Sequence, residues 1–187
     1  MRIFIGFRNT IGYGGNLTRG FHKLGIPCDF YCLDANTFKY DVPENKSWLF
    51  RKMQEHSASR GFSFYIYSAL FAVKSALTHD GFIFISDFQG SKYYLPLLKL
   101  LGKKVVVIFF GSDIRPVYLD GALLAMHSYN EDAIRAHVSV QKQRVRLFEK
   151  YADNIVSQVP ISTFQVKPFI QYIKIGIPIP LRDLPQP

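Results

Sequence analysis

The chain has 187 residues, of which 48% are hydrophobic and 20% are charged. This size and balance are typical of one packed globular domain and exclude a disordered or low-complexity chain. An excess of Lys and Arg gives a formal net charge of +9, which favours anionic partners such as phosphates, membrane surfaces or nucleic acid.

Short apolar runs alternate along the chain with longer segments of helical periodicity. Strands are predicted at residues 3–7, 27–33, 82–85, 105–110, 154–157 and 172–175. Helices are predicted at residues 16–24, 48–54, 64–77, 94–101 and 130–151, the last with a basic outer side. Uninterrupted apolar strands separated by helices predict an α/β fold with a doubly wound, Rossmann-like parallel sheet.

The chain is expected to form one domain over residues 1–176, followed by a proline-rich exit segment over residues 177–187. Cys28 and Cys32 lie on one face of a predicted strand roughly 13 Å apart, too far for a disulfide. Free thiols suit a reducing compartment, and no His and Cys spacing predicts a metal site. We therefore expect a cytoplasmic protein, and attachment to the inner face of the membrane stays open.

A glycine-rich turn, Gly12-Tyr13-Gly14-Gly15-Asn16, follows the first predicted strand. Backbone N–H groups at the start of the next helix can hold a phosphate or a sugar hydroxyl, so Gly14, Gly15 and Asn16 are candidate binding residues. The turn equally suits a chain that needs a positive φ angle there. The dinucleotide fingerprint G-x-G-x-x-G is incomplete, because its last position is a leucine.

Polar side chains follow two further predicted strands: Asp87 comes after the strand at 82–85, and Ser112, Asp113 and Arg115 come after the strand at 105–110. Asp113 can accept hydrogen bonds from hydroxyl groups, and Arg115 can bind a phosphate or carboxylate. Alternatively, Asp113 caps the next helical turn and pairs with Arg115, and Asp87 caps the helix that follows it. Because the carboxyl ends of parallel strands meet at one edge, we expect a single cleft there. Its predicted lining is Gly14, Gly15, Asn16, Asp87, Ser112, Asp113 and Arg115.

Residues 48–53 combine Trp48, Phe50 and Met53 with the cations Arg51 and Lys52. This mixture suits an interface with anionic lipid headgroups, and it also suits a short core helix with a basic outer edge. The basic side of the predicted long helix is the other candidate membrane surface. Between the two surfaces we favour residues 48–53, because only that segment adds apolar groups that can enter a membrane interface.

Several segments occur in a recognisable order: residues 1–6 with the turn at 12–15, then 109–115, 151–157 and 175–180. Together they resemble the amino-terminal, acceptor-side domain of GT-B glycosyltransferases of the group 1 type. The resemblance implies one half of a GT-B architecture, whose second domain holds the nucleotide-sugar donor. Phe110 stands where many members carry a histidine that reaches the transferred sugar. A phenyl ring cannot exchange a proton, so no catalytic residue is assigned.

The resemblance implies the acceptor-binding domain of a retaining, hexosyltransferase-type enzyme of glycan or glycolipid synthesis. The acceptor would be a sugar or a lipid-linked sugar, and no cofactor would be tightly bound. Activity would require the donor-binding half, as a further domain or a partner chain. The alternative is a non-catalytic Rossmann-like module that binds a nucleotide or an anionic polymer. Nucleic acid is not expected as a partner, because no recognition motif accompanies the positive charge.

Overall fold

A sheet of six parallel strands forms the centre of the structure, which is a computed structural model. It describes residues 1–33, 47–57, 61–86, 88, 90–119, 121, 125, 130–157 and 164–171, without the side chains at 11, 112 and 118. The strands are β1 (Ile3–Phe7), β2 (Cys28–Cys32), β3 (Gly81–Ile85), β4 (Lys104–Ile108), β5 (Asn154–Ser157) and β6 (Ile170–Gln171). Their order in the sheet is β2-β1-β3-β4-β5-β6. The predicted α/β fold with a Rossmann-like, doubly wound sheet is confirmed.

The structure contains the α-helices α1 (Tyr13–Lys23), α2 (Trp48–Glu55), α3 (Phe62–Thr78), α4 (Ser91–Leu100), α5 (Gly111–Ile114) and α6 (Glu131–Tyr151), and short 3-10 helices at Thr10–Gly12 and Val117–Leu119. Local signals account for several ends. Gly25 adopts a positive φ angle of 71° just after α1. The side chain of Asn130 caps α6 by accepting a hydrogen bond from the N–H of Ala133 at 2.9 Å. The predicted strand at 172–175 and the predicted exit segment at 177–187 lie outside the described residues.

The two faces of the sheet carry separate cores, because side chains alternate along each strand. Phe4 points to the face covered by α2, α3, α4 and α6, and stacks on Tyr31 with ring centroids 4.8 Å apart. Ile5 points to the opposite face, where α1 packs through Leu17 and Phe21. The larger aromatic core therefore lies under α2, α3, α4 and α6.

Two observations bear on the expected membrane surface: the character of the helices and the exposure of α2. Among the described residues, no helix has the length and apolar character needed to cross a bilayer. In α2, Phe50 and Met53 are buried in the core, while Lys52 pairs with Glu55 at 2.7 Å. Helix α2 thus packs into the core through Phe50 and Met53, while its outer side carries Trp48, 55% exposed, beside Arg51 and Lys52.

Both cysteines lie in β2 and are buried free thiols. Burial raises the pKa of Cys28, and the neighbouring Asp29 raises it further. A thiol that stays protonated is a poor nucleophile and a poor metal ligand.

Candidate functional site

The segments that follow β1, β3 and β4 meet at the carboxyl edge of the sheet. Strand β1 lies between β2 and β3, so the chain turns to one side after β1 and builds the other side from β3 onwards. Ligands of such sheets bind at this switch point. The ring of Tyr13, after β1, packs edge-on against the ring of Phe110, after β4, with centroids 5.2 Å apart. The glycine turn and the segment around Asp113 therefore lie at the same edge.

The carboxylate of Asp113 joins all three segments. Its Oδ1 lies 3.6 Å from Nη1 of Arg8, after β1, and its Oδ2 accepts a hydrogen bond from the hydroxyl of Ser86, after β3. Oδ2 also accepts a hydrogen bond from the N–H of Phe110 at 3.2 Å, which caps the start of α5. The Asp113 side chain is 11% exposed and that of Arg8 is 45% exposed. A largely buried acceptor thus sits beneath an accessible cation.

Ser86 has an unusual backbone conformation. It is fully buried and adopts a φ angle of +63°, in the left-handed region where side chains other than hydrogen are disfavoured. Backbone strain of this kind concentrates at binding and catalytic sites. A glycine at this position would relieve the strain, but it would lose the hydroxyl that donates a hydrogen bond to Asp113.

The glycine-rich turn is explained by local packing. The positive φ angle falls on Gly12, at 71°, while Gly14 and Gly15 belong to the first turn of α1. A Cβ atom on Gly14 would lie 2.4 Å from the ring of Phe30, so this position requires glycine for close approach. The N–H of Gly15 donates to Oδ1 of Asn9 at 3.2 Å.

The remaining predicted site residues have different surroundings. Asn16 accepts a hydrogen bond through Oδ1 from Arg19 at 2.5 Å. Arg115 follows α5 and its carbonyl accepts a hydrogen bond from the buried amide of Gln141 at 3.0 Å. Its Nη2 lies 3.2 Å from the point that a Cβ on Gly111 would occupy, so the guanidinium folds over the start of α5. Asp87 and the side chain of Ser112 lie outside the described residues.

Arg8, Asn9 and Ser86 belong to this edge but are absent from the residues predicted to line the cleft. Arg8 and Asn9 only marked the end of an apolar run in the sequence. Ser86 gave no signal, because a positive φ angle is usually marked by Gly, Asn or Asp. The position of Arg8 directly after the first strand was the available hint.

A second carboxylate cluster lies at the opposite, amino edge. Asp29 accepts hydrogen bonds from Nε and Nη2 of Arg2 at 2.6 and 3.1 Å, and its Oδ2 lies 2.9 Å from Nε2 of the buried His79. Burial alone raises the pKa of Asp29, but the hydrogen bonds from Arg2 and His79 outweigh it and hold the pKa below its ordinary value.

No protein-family model and no curated protein matches the chain. A solved structure described as a conserved protein from Enterococcus faecalis V583 is similar at 15% sequence identity, with a TM-score of 0.42. The similarity covers 84% of this chain and 91% of that chain. Among the described residues, no group of three or more His, Cys, Asp and Glu side chains is arranged to hold a metal ion.

Proposed function

We propose that the chain is the acceptor-binding domain of a nucleotide-sugar-dependent glycosyltransferase, with its binding site at the carboxyl edge. The observation that carries the proposal is the convergence of Arg8, Ser86 and Asp113 from three strands at the switch point. The segments that resemble the acceptor side of GT-B enzymes, and that follow one another in the same order along the chain, support the same assignment.

The chemistry of the cluster suits a sugar that carries a phosphate. A carboxylate has about four acceptor sites, and Asp113 already holds Arg8, Ser86 and the start of α5, so a sugar hydroxyl would bind it by displacing the 3.6 Å contact with Arg8. A guanidinium offers five N–H donors in a planar fork that matches phosphate oxygens. Arg8 and Arg115 both lie at this edge. The cluster can therefore bind the two parts of such an acceptor together.

The proposal assigns binding to this chain and no catalytic step. Phe110 directly precedes α5, and its ring packs against Tyr13 and cannot donate or accept a proton. In the resembled fold the donor site belongs to the second domain. We therefore expect the 187-residue chain alone to leave UDP-glucose intact in a chromatographic assay. Measurable hydrolysis or transfer would contradict this division of labour.

Titration calorimetry with glucose 1-phosphate tests the binding site. Asp113→Asn and Arg8→Gln should each weaken binding about tenfold, because each removes a charge-assisted interaction. Arg2→Gln, at the amino edge, is the matched control and should leave the affinity unchanged. Equal affinities for the wild type and Asp113→Asn, or an equal loss in Arg2→Gln, would refute the assignment.

The same assay separates the proposal from a nucleotide-binding module. UDP alone contains no acceptor sugar, so the acceptor domain should bind UDP more weakly than glucose 1-phosphate. Tighter binding of UDP, lost in Asp113→Asn, would instead favour a non-catalytic nucleotide-binding protein.

A further inference from the structure

Helix α3 is apolar around almost its whole circumference, and Lys74 is its single charged residue. Its inner side packs in the core through Phe64 and Phe71. Its outer side is exposed, although a helix of this composition is normally buried all round. The exposed side chains form what we call the outer stripe: Phe62, Ile66, Leu70, Val73 and Leu77. The stripe is about 22 Å long at the rise of an α-helix.

A groove separates α3 from α4 beside this stripe. Its volume is about 720 Å³, within the range of about 300–1,000 Å³ typical of ligand sites. Tyr65 and Val73 line the α3 wall, and Tyr93 and Leu97 line the α4 wall. The hydroxyl of Ser68 is buried at the groove and has no hydrogen-bond partner among the described residues. The groove therefore offers a mainly apolar space with the Ser68 hydroxyl at its wall.

The charged residues of α3 and α4 themselves are all positive. The sequences of α3 and α4 contain no Asp or Glu, and their cations are Lys74, Lys92 and Lys99. Lys99 pairs with Asp153 at 2.9 Å, while Lys92 lies over the ring of Tyr93 at the groove. Exposed apolar and tyrosine side chains bordered by cations match a membrane interface that contains anionic lipid.

We propose that the outer stripe and the α3–α4 groove dock on a bilayer that contains anionic lipid, with one lipid hydrocarbon chain in the groove. At 17 residues, α3 is shorter than the roughly 20 residues of a spanning helix. It would lie in the interface, with Lys74 and Lys92 among the headgroups. The groove reaches Phe7 and Phe88, the neighbours of the carboxyl edge, so a bound chain carries its headgroup towards Arg8. Only this placement of the headgroup rests on the proposed function.

Co-sedimentation with phosphatidylcholine vesicles, with and without phosphatidylglycerol, tests the docking surface. The wild type should partition to the anionic vesicles and lose most of this binding in high salt. The pair Leu70→Ser and Leu77→Ser, at positions 50% and 73% exposed, should weaken partitioning about tenfold. Its control is the pair Leu24→Ser and Val140→Ser, at positions 74% and 49% exposed on other parts of the molecule, which should bind as the wild type does.

Charge reversal provides the second arm. Lys74→Glu with Lys92→Glu should weaken partitioning about 30-fold or more, since each cation near an anionic surface contributes about fivefold. Lys142→Glu with Lys150→Glu, on the exposed side of α6, changes the net charge equally and should have a much smaller effect.

Several results would overturn the proposal. They are equal partitioning to neutral and anionic vesicles, equal losses in the control pairs, and binding of monomeric oleate without binding of vesicles. A dimer in sedimentation velocity that Leu70→Ser with Leu77→Ser converts to monomer, without vesicle binding by the wild type, would show instead that a second copy covers this face. The glucose 1-phosphate titration measures binding at the carboxyl edge and does not depend on vesicles. A failure of the docking proposal can therefore be distinguished from a failure of the proposed function.

Discussion

Asp29 and Asp113 are each paired with an arginine, but at opposite edges of one sheet. Asp29 accepts two hydrogen bonds from Arg2, 27 residues before it in the chain, and lies against the buried His79, 50 residues after it. Its carboxylate therefore ties together three distant segments. Asp113 has a longer ion pair with Arg8, at 3.6 Å, and lies beside a serine with a strained backbone. A carboxylate and an arginine therefore serve different ends at the two edges. At the amino edge Arg2, Asp29 and His79 form a structural cluster that we call the clamp, and at the carboxyl edge Asp113 and Arg8 form a site with an accessible cation.

Removal of the clamp should have the largest effect. Asp29→Ala leaves His79 buried without its carboxylate partner, and we expect the free energy of unfolding to fall by about 2–3 kcal/mol. Urea denaturation measures this loss. Asp80→Ala is the control, because Asp80 lies at the same edge but is exposed, and should cost much less. Equal losses in the two variants would show that Asp29 is not a clamp.

The glycines of α1 test the packing of the carboxyl edge. Gly14→Ala places a Cβ atom 2.4 Å from the ring of Phe30 and should cost about 1–3 kcal/mol of unfolding free energy. Gly20→Ala, in the same helix, meets no atom within 4 Å and should stabilise the protein by about 0.5–1 kcal/mol. Thermal melting of both variants is sufficient. A neutral Gly14→Ala would show that the ring of Phe30 can move aside and that packing does not require this glycine.

Two substitutions of Ser86 separate its hydrogen bond from its backbone strain. Ser86→Ala loses the hydrogen bond to Asp113 and keeps the φ angle of +63°, whereas Ser86→Gly loses the same bond and relieves the strain. The glycine variant should therefore be more stable than the alanine variant by about 1 kcal/mol. An alanine variant of equal or greater stability in urea denaturation would show that the conformation is not strained.

Acid should weaken the clamp by a smaller, measurable amount. The folded-state pKa of Asp29 lies below its ordinary value of 3.8, so its stabilisation is present above that value and is lost as the pH falls through the folded-state pKa. Urea denaturation at neutral pH and at about pH 3 should show a larger fall for the wild type than for Asp29→Asn. Parallel pH profiles for the two proteins would contradict this role.

The fold was largely predictable because apolar runs and helical periodicity are local properties of the sequence. The start of α1 was missed, since glycine is a poor helix former and the close approach of Gly14 to Phe30 is a tertiary contact that no local pattern reports. The pairing of Arg8 with Asp113 depends on which strands become neighbours, and no local pattern reports it. Likewise, periodicity predicted the helix at residues 64–77 but could not show that Leu70, Val73 and Leu77 face outwards.

The central claim is that the carboxyl edge binds the ligand and the amino edge does not. Titration of the ¹⁵N-labelled chain with glucose 1-phosphate, followed by amide NMR, tests it most directly. We predict chemical-shift changes at Arg8, Asn9, Ser86 and the residues of α5, and unchanged amides at Asp29, His79 and Asp80. Shift changes centred on Asp29 and His79, or spread evenly over both edges, would contradict the account.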